Sequence, residues 1–277
     1  MKSIAKINDT RANVIIDRYL ASIRSKNWFK TDDIYKKHFT CSPYKKDLKS
    51  NILLPEQDYR CCYCMKRFNC PTDSDATIEH LILRSTKNNS DFTNYFAISY
   101  PGLTSNNVCH TDDYKAGAAH SGQYPHHVAY HNFAIACNSC NNRRGTYFIG
   151  FPFLLPDYCQ HVSYNRKTGK ISWFDDPKLF DGSPESELMV NLVELNRPLL
   201  KAIRAVWFYG KDHPTDNYST PDTVHNIQER KELIYNAFGA AVDANPDFTQ
   251  SDMDSFINLE TEGIWQDVLR YDYFGSI

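Results

Sequence analysis

The stretch Cys61-Cys62-Tyr63-Cys64 contains a C-x-x-C step, and a second step follows at Cys137-Asn138-Ser139-Cys140. Together the two steps predict a tetrahedral zinc site in which each thiolate lies ~2.3 Å from the metal. Its predicted ligands are Cys61, Cys64, Cys137 and Cys140. The 72 residues between the steps would then form a folded segment whose two ends are held together by the zinc site. A redox C-x-x-C pair and simply buried thiols are the alternatives, and Cys62 or Cys70 is close enough in sequence to replace a ligand.

The composition is that of an ordinary soluble globular protein. The chain has 277 residues, 42% apolar and 23% charged, which is enough for one large domain or two small ones. Its first residues lack the apolar centre of a secretory signal, and its longest uncharged apolar stretch, residues 145–156, is too short to span a bilayer. We therefore expect a cytoplasmic protein with no membrane partner, in which cysteines bind metal or are buried rather than form disulfides.

Charge is distributed unevenly along the chain. The net charge is +6 for residues 1–60, +1 for residues 61–150 and −9 for residues 151–277. This asymmetry predicts that an anionic ligand contacts the N-terminal half. The acidic C-terminal region would then form a separate surface with another role. Solvated faces that simply differ in charge are the alternative.

Hydrophobic periodicity predicts an α+β organisation in three parts. Residues 1–57 form a basic helical N-terminal arm, residues 58–150 a core, and residues 151–277 an acidic, mainly helical region with a β-hairpin. The predicted elements are a helix over 11–26 capped by Thr10, a short helix over 31–38, a hairpin over 161–174, a helix over 198–210 with a cap signal at Asn196, and helices over 222–238 and 252–271.

Glu79 and His80 interrupt the apolar run that extends from Ala76 to Ser85. In a regular strand these neighbours point to opposite faces. Taken by itself, His80 is compatible with an ordinary core histidine, and Glu79 is compatible with a surface residue. If both side chains serve one phosphate, the strand must end or bend at about His80. A straight strand through Leu83 would leave only His80 in the site.

The order of these features resembles the HNH endonuclease family. The chain presents C-x-Y-C, then Ile-Glu-His in an apolar strand, then Asn132 five residues before Cys137, then Asn141 directly after Cys140. The resemblance covers Asp58 to Thr146. It implies a ββα-metal fold, with a base at the end of one strand and a metal ligand at the start of the helix.

The resemblance also implies roles for single residues. His80 would be the general base, and Asn132 would fix the active-site loop. Glu79 and Asn141 would hold one catalytic Mg²⁺ or Mn²⁺ ion, while the four cysteines would hold a structural Zn²⁺. Arg143 and Arg144 stand where the family often has a basic residue and would contact phosphate. A solvated arginine pair and a helix-start role for Asn141 are the alternatives.

Phosphodiester hydrolysis needs these residue types. A water must be deprotonated near neutral pH, and imidazole is the side chain whose pKa lies there. A cation must neutralise charge on the phosphoryl group and on the departing oxygen. The hard oxygen ligands of Glu79 and Asn141 favour Mg²⁺ or Mn²⁺ over zinc.

The sequence departs from the family pattern in two places. Leu83 stands where a proline is usual, and a long insertion separates His80 from Asn132. The insertion carries donors that could ligate another metal, namely Cys109, His110, Asp112, Asp113, His120, His126 and His127. No subset has a convincing ligand spacing, so we interpret the segment as a substrate-facing loop.

We therefore predict a metal-dependent HNH endonuclease that acts on DNA, with RNA as the alternative substrate. The overall plan also resembles the stand-alone HNH nucleases of bacterial anti-phage systems, such as the Septu type. That resemblance implies an ATPase protein partner, for which the −9 C-terminal region would be the docking surface. A non-catalytic four-cysteine zinc module that binds nucleic acid or protein is the rival interpretation.

Overall fold

The computed structural model of the chain describes residues 4–25, 39, 42–68, 71–84, 86, 107–147, 162–166, 168–173, 185–212 and 251. The helices predicted over 31–38, 222–238 and 252–271 lie outside these residues. The described elements mix helices with small two-stranded sheets, as expected for an α+β protein.

The described elements have the following bounds in chain order: α1 (Asp9–Ser25), α2 (Pro43–Leu48), a π-helical segment (Lys49–Leu53), α3 (Leu54–Glu56), β1 (Ala76–His80), β2 (Val108–Cys109), α4 (Thr111–Lys115), β3 (Tyr124–Pro125), a 3₁₀ turn (Tyr130–Asn132), β4 (Phe133–Cys137), α5 (Asn138–Arg144), β5 (Val162–Tyr164), β6 (Ile171–Trp173), α6 (Glu185–Leu192) and α7 (Pro198–Asp212).

Helix α1 confirms the first predicted helix but begins two residues earlier. The carbonyl of Asn8 accepts a hydrogen bond from the Ala12 amide at 2.9 Å, so Thr10 lies inside the first turn and does not cap it. Asp9 and Arg24 stand in the first and last turns, where their charges suit the helix dipole. The side chain of Tyr19 is fully buried and packs edge-on against Phe39, with ring centroids 5.0 Å apart.

Helices α2 and α3 and the π-helical segment between them form one continuous helical run that the sequence pattern did not predict. Ser42 begins the run by accepting the Lys45 amide on its hydroxyl at 3.2 Å, and Pro43 occupies the first turn, where its missing N–H costs nothing. At the end of the run the Gln57 side chain bonds to both backbone groups of Ile135, at 2.6 and 2.9 Å. The N-terminal region is thereby tied to the centre of β4.

Strands β1 and β4 form the sheet that positions the candidate site. They are antiparallel, with Ile78 opposite Ile135 and His80 opposite Phe133, and every residue of β4 is buried. Helix α5 follows β4 directly and packs on both strands. Strand β1 ends at His80, which meets the condition that a site using both Glu79 and His80 requires.

The predicted C-terminal hairpin and helix are both confirmed. Strands β5 and β6 pair antiparallel, and α7 begins at Pro198 as predicted. Asn196, expected as a helix cap, instead bonds through its side chain to both backbone groups of Ile171 at 2.7 and 2.9 Å. Gly169 lies between the strands with φ of 66°, and a Cβ there would sit 2.0 Å from the carbonyl oxygen of Lys201, so only glycine fits.

Within the described part of the chain, no helix has both the length and the apolar character needed to cross a bilayer.

Candidate functional site

The four cysteines of the two C-x-x-C steps come together in the structure. Their Sγ atoms all lie within 4.8 Å of one another, and those of Cys64 and Cys137 are 3.9 Å apart. All four side chains are buried. Thiolates held ~2.3 Å from one tetrahedral zinc lie ~3.8 Å apart, so this group, called the thiol cluster below, has the dimensions of a metal site and could bind zinc.

A tight turn presents the first pair of thiols to the junction of β4 and α5. The Cys61 amide donates to the Lys66 carbonyl at 2.9 Å, and the Met65 amide donates back to the Cys61 carbonyl at 3.0 Å. Met65 has a φ of 63°, which lets the chain reverse directly after Cys64. The Cys137 amide in turn donates to Cys61 Sγ at 3.3 Å. The backbone thus prearranges the thiol cluster.

The thiols of this turn differ in pKa because their neighbours differ. Burial raises the pKa of Cys61, but hydrogen bonds from Cys140, Cys62 and Cys64 outweigh burial and lower it to about 5. Burial raises the pKa of Cys62 well above its ordinary value, and its thiol is not part of the thiol cluster. The thiol cluster can therefore carry negative charge, which would attract a cation. Cys70, the other possible replacement ligand, lies outside the described residues.

A cleft of about 540 Å³ opens at the end of β1, beside α5. It brings together four of the predicted site residues from two separate segments of the chain. Its lining consists of Lys45, Ile78, Glu79, His80, Leu83, Arg84, Asn141, Arg144, Gly145 and Thr146.

His80 lies half-buried at the last position of β1. Its ring packs edge-on against Phe133 with centroids 4.8 Å apart, and Nε2 lies 3.4 Å from the carbonyl oxygen of His127. Burial lowers the pKa of His80 well below its ordinary value, and the positive charges of Arg84 and Lys45 lower it further. The imidazole is therefore neutral at physiological pH, the form that can accept a proton.

Glu79 is fully buried on the opposite face of β1. Its Oε1 lies 3.0 Å from Nη1 of Arg144, and burial raises the pKa of Glu79 to about 7 although the Arg144 charge lowers it. Thr77 shares this face, and the amide nitrogen of Asn141 donates to Thr77 Oγ1 at 2.9 Å. The two predicted oxygen ligands, Glu79 and Asn141, therefore lie on the same side of β1.

Asn132 holds the segment that follows His80. Its Oδ1 accepts from the Ile82 amide at 2.5 Å, while its Nδ2 donates to the carbonyls of Ile82 at 3.0 Å and His126 at 2.7 Å. Its backbone carbonyl also accepts from the Leu81 amide at 3.0 Å. A fully buried amide in this position fixes where the chain turns after β1.

The two predicted phosphate-binding arginines have different surroundings. Arg144 is buried and donates to the carbonyls of His80 at 3.1 Å and Leu81 at 2.9 Å, in addition to its contact with Glu79. Arg143 is not among the cleft residues and pairs with Glu194 at 2.8 Å on the surface. The arrangement gives Arg144 a structural role and gives no support to a phosphate contact by Arg143.

Sequence reasoning did not single out Lys45 and Arg84, the two other cations of the cleft. Arg84 follows His80 by four residues, and Lys45 stands on α2, far away in sequence. The only sequence signal for Lys45 was the +6 charge of residues 1–60, which pointed to an anionic ligand without naming a residue.

Three histidines of the insertion, His110, His126 and His127, form a buried packing cluster. The ring centroids of His110 and His126 are 5.3 Å apart, those of His126 and His127 are 4.1 Å apart, and Thr111 Oγ1 lies 2.8 Å from Nδ1 of His127. These three side chains are buried and pack against one another. Among the described residues, the thiol cluster is the only set of three or more Cys, His, Asp or Glu ligand atoms gathered closely enough to hold a metal.

Comparison with protein-family models, with curated proteins and with solved structures found no match for this chain.

We expect Cys137→Ser to lose bound zinc and to unfold, because a structural zinc contributes ~10–16 kcal/mol, as much as the entire ~5–15 kcal/mol stability of a domain. Elemental analysis of the purified parent should give one zinc per chain. Cys62→Ser is the matched control, since Cys62 is equally buried but outside the thiol cluster, and it should retain zinc. A Cys137→Ser protein with the zinc content and melting temperature of the parent would contradict the assignment.

Arg144→Ala should destabilise the fold by about 3–5 kcal/mol, because it leaves Glu79 buried without its counter-ion and frees two buried carbonyls. Arg143→Ala is the control in the neighbouring position. Its exposed pair with Glu194 contributes about 0–1 kcal/mol. Urea unfolding of the two variants measures the difference, and equal losses would show that Arg144 does not hold the end of β1.

Proposed function

We propose that this protein is a metal-dependent endonuclease of the HNH type that hydrolyses phosphodiester bonds. The observation that carries the proposal is the cleft at the end of β1, where a neutral histidine, two oxygen ligands and two further cations face one space. Each group corresponds to one requirement of the reaction: a base, a metal site and positive charge for the phosphate.

His80 is the base in this proposal. If Nε2 carries the proton and points to the carbonyl of His127, then Nδ1 is left with the lone pair that accepts a proton from water. Asn132 and Arg144 keep the imidazole in place, since Arg144 holds the carbonyl of His80 and Asn132 holds the backbone of Ile82, two residues further on. Both are positioning residues, because neither needs to touch the substrate.

Glu79 and Asn141 would hold the Mg²⁺ or Mn²⁺ ion. The chemistry of the donors fits, because a buried carboxylate with a raised pKa is stabilised by an added cation, and the Asn141 amide keeps its oxygen for a ligand while its nitrogen bonds to Thr77. A bound Mg²⁺ usually keeps several waters and contacts a substrate phosphate, so two protein ligands suffice. Such an ion supplies charge neutralisation at the phosphoryl oxygens and the leaving group.

Lys45 and Arg84 contact the scissile phosphate in this proposal. They replace Arg143 in that role, because they line the cleft and Arg143 does not. The thiol cluster does not take part in the reaction. Zinc bound there would be structural, since four cysteine ligands leave no open coordination position for substrate.

We also propose that the protein acts in anti-phage defence with an ATPase partner, as its resemblance to the stand-alone bacterial nucleases implies. DNA is the proposed substrate, and RNA is the alternative, because no residue of the cleft is assigned to a 2′-hydroxyl. The support for a protein partner is the −9 charge of residues 151–277, which is unsuited to nucleic acid.

A non-catalytic zinc module is the second candidate function, and one observation favours it. Glu79 is already paired with Arg144 at 3.0 Å, so its burial has a purely structural explanation as the counter-ion of that arginine. On this alternative, changes at His80 affect nothing but stability.

His80→Ala should leave a folded, zinc-loaded protein whose cleavage rate falls by at least about 100-fold, because the reaction loses its base. Plasmid and total RNA are incubated with parent and variant in Mg²⁺ or Mn²⁺. His120→Ala is the control, since His120 is an exposed histidine outside the cleft, and it should cleave like the parent. EDTA should stop the parent, and added Mg²⁺ should restore it while its zinc content is unchanged. Undiminished cleavage by His80→Ala would reject the mechanism.

The partner proposal predicts that the protein and an ATPase form a complex and co-elute from a size-exclusion column at low salt. Raising the salt from 50 to 500 mM should weaken the complex, because the acidic C-terminal region contributes through screened charges. The salt dependence is compared with that of a control complex of neutral partners. A protein that elutes alone and cleaves freely without the ATPase would count against it.

A further inference from the structure

A second groove, of about 620 Å³, lies along the helical run that begins at Pro43. Three lysines, Lys45, Lys46 and Lys49, face this groove together with polar residues of the helical run and of the loop that precedes β1. We call it the lysine groove. The polar lining residues are Ser42, Ser50 and Thr72.

The lysine groove adjoins the cleft, because Lys45 contributes to the lining of both. Lys45 and Lys49 stand one helical turn apart, which places them on one side of the run. The lining residues of the two neighbouring spaces, called the track below, run from Thr72 past the lysines to His80 and Arg84.

The lining of this track has the charge that a phosphate backbone requires. Among the residues that the structure describes, no acidic side chain lines the lysine groove, and the only carboxylate that lines the cleft, that of Glu79, is buried against Arg144. Asp47, which stands between the lysines in sequence, bonds instead to the side chain of Asn51 at 2.5 Å and does not line the groove. Lysines and hydroxyl side chains are the groups that most often contact phosphate in nucleic-acid complexes.

The shape of the track distinguishes a polymer from a small ligand. A small anion would need only one of the two spaces, each of which has the volume of an ordinary ligand pocket. Two such spaces joined through a shared lysine suit a ligand with charges repeated along its length.

We propose that the lysine groove binds the phosphate backbone of the nucleic-acid strand that enters the cleft, upstream or downstream of the cleaved bond. This inference rests on the proposed function, since it takes the strand in the cleft to be the substrate. It assigns Lys46 and Lys49 to binding rather than to the reaction, because neither lines the cleft.

The test measures binding separately from cleavage. In the His80→Ala background, the dissociation constant for a fluorescent 20-nucleotide oligonucleotide, single-stranded or duplex, is determined as a function of salt. Each lost phosphate contact reduces the slope of log K against log salt by about 0.9 for duplex DNA and about 0.7 for a single strand. Lys46→Gln/Lys49→Gln should therefore reduce the slope by about 1.8 or about 1.4, with weaker binding at low salt.

Two controls separate the groove from net charge. Lys46→Arg/Lys49→Arg keeps both charges and should bind like the parent. Arg11→Gln/Arg18→Gln removes the same charge from two exposed positions of α1 that line neither space, and it should leave the slope unchanged. Because Lys49 also donates to the Asp73 carbonyl at 2.9 Å, Lys46→Gln alone is a second variant, with an expected reduction of about 0.9 for duplex or about 0.7 for single strand.

The outcomes distinguish this inference from the proposed function. If Lys46→Gln/Lys49→Gln and Lys46→Gln both leave the salt slope unchanged, while the protein that retains His80 cleaves nucleic acid, the lysine groove is overturned and the nuclease proposal stands. If these variants reduce the slope but the protein that retains His80 cleaves nothing, the groove is supported as a binding surface and the catalytic proposal fails. An equal reduction in the α1 control would show that only net charge matters, which also overturns the groove.

Discussion

The convergence of two cysteine pairs on the junction between β4 and α5 is the constraint on which the site depends. Cys137 ends the strand and Cys140 lies in the first turn of the helix, so contacts with the Cys61 turn fix the angle between the two elements. Asn141 follows Cys140 directly and therefore reaches Thr77 on the neighbouring strand. The thiol cluster therefore sets the position of Asn141 in the cleft.

The buried ion pair of Glu79 and Arg144 lies beside the thiol cluster, and a buried ion pair is weak evidence of a gain in folding stability. A buried ion pair such as Glu79 with Arg144 costs desolvation that its mutual attraction often fails to recover, and apolar residues of the same volume are frequently more stable. The raised pKa of Glu79 reflects that cost. Arg144 recovers part of it by bonding to two backbone carbonyls at the end of β1. In the proposed nuclease, this carboxylate would have a further role, because the site beside His80 needs a cation.

The sequence was informative where chemistry is local and uninformative where it depends on packing. The spacing of the cysteines alone predicted the thiol cluster, and the adjacent Glu79 and His80 in an apolar run predicted an end of β1 at about His80 on the condition that both side chains serve one site. Lys45 and Gln57 could not be foreseen, because each acts on residues far away in sequence and neither belongs to a motif. The cap assigned to Asn196 failed for a related reason: a side chain suited to a helix start is equally suited to pair with a distant strand, as Asn196 does with Ile171. Thr10 is not a cap because α1 begins before it, at Asp9.

The cations of the cleft affect the pKa of His80, and in the proposed mechanism they also bind the substrate. Burial keeps His80 neutral by lowering its pKa, and the charges of Arg84 and Lys45 lower that pKa further, yet a base with a strongly lowered pKa is a weak proton acceptor. In the proposed mechanism a bound phosphate would offset both positive charges and raise the pKa of His80 back toward its ordinary value. The base would then be strongest when the substrate is in place and weakest in the free protein. The same two side chains would therefore couple substrate binding to activation of water.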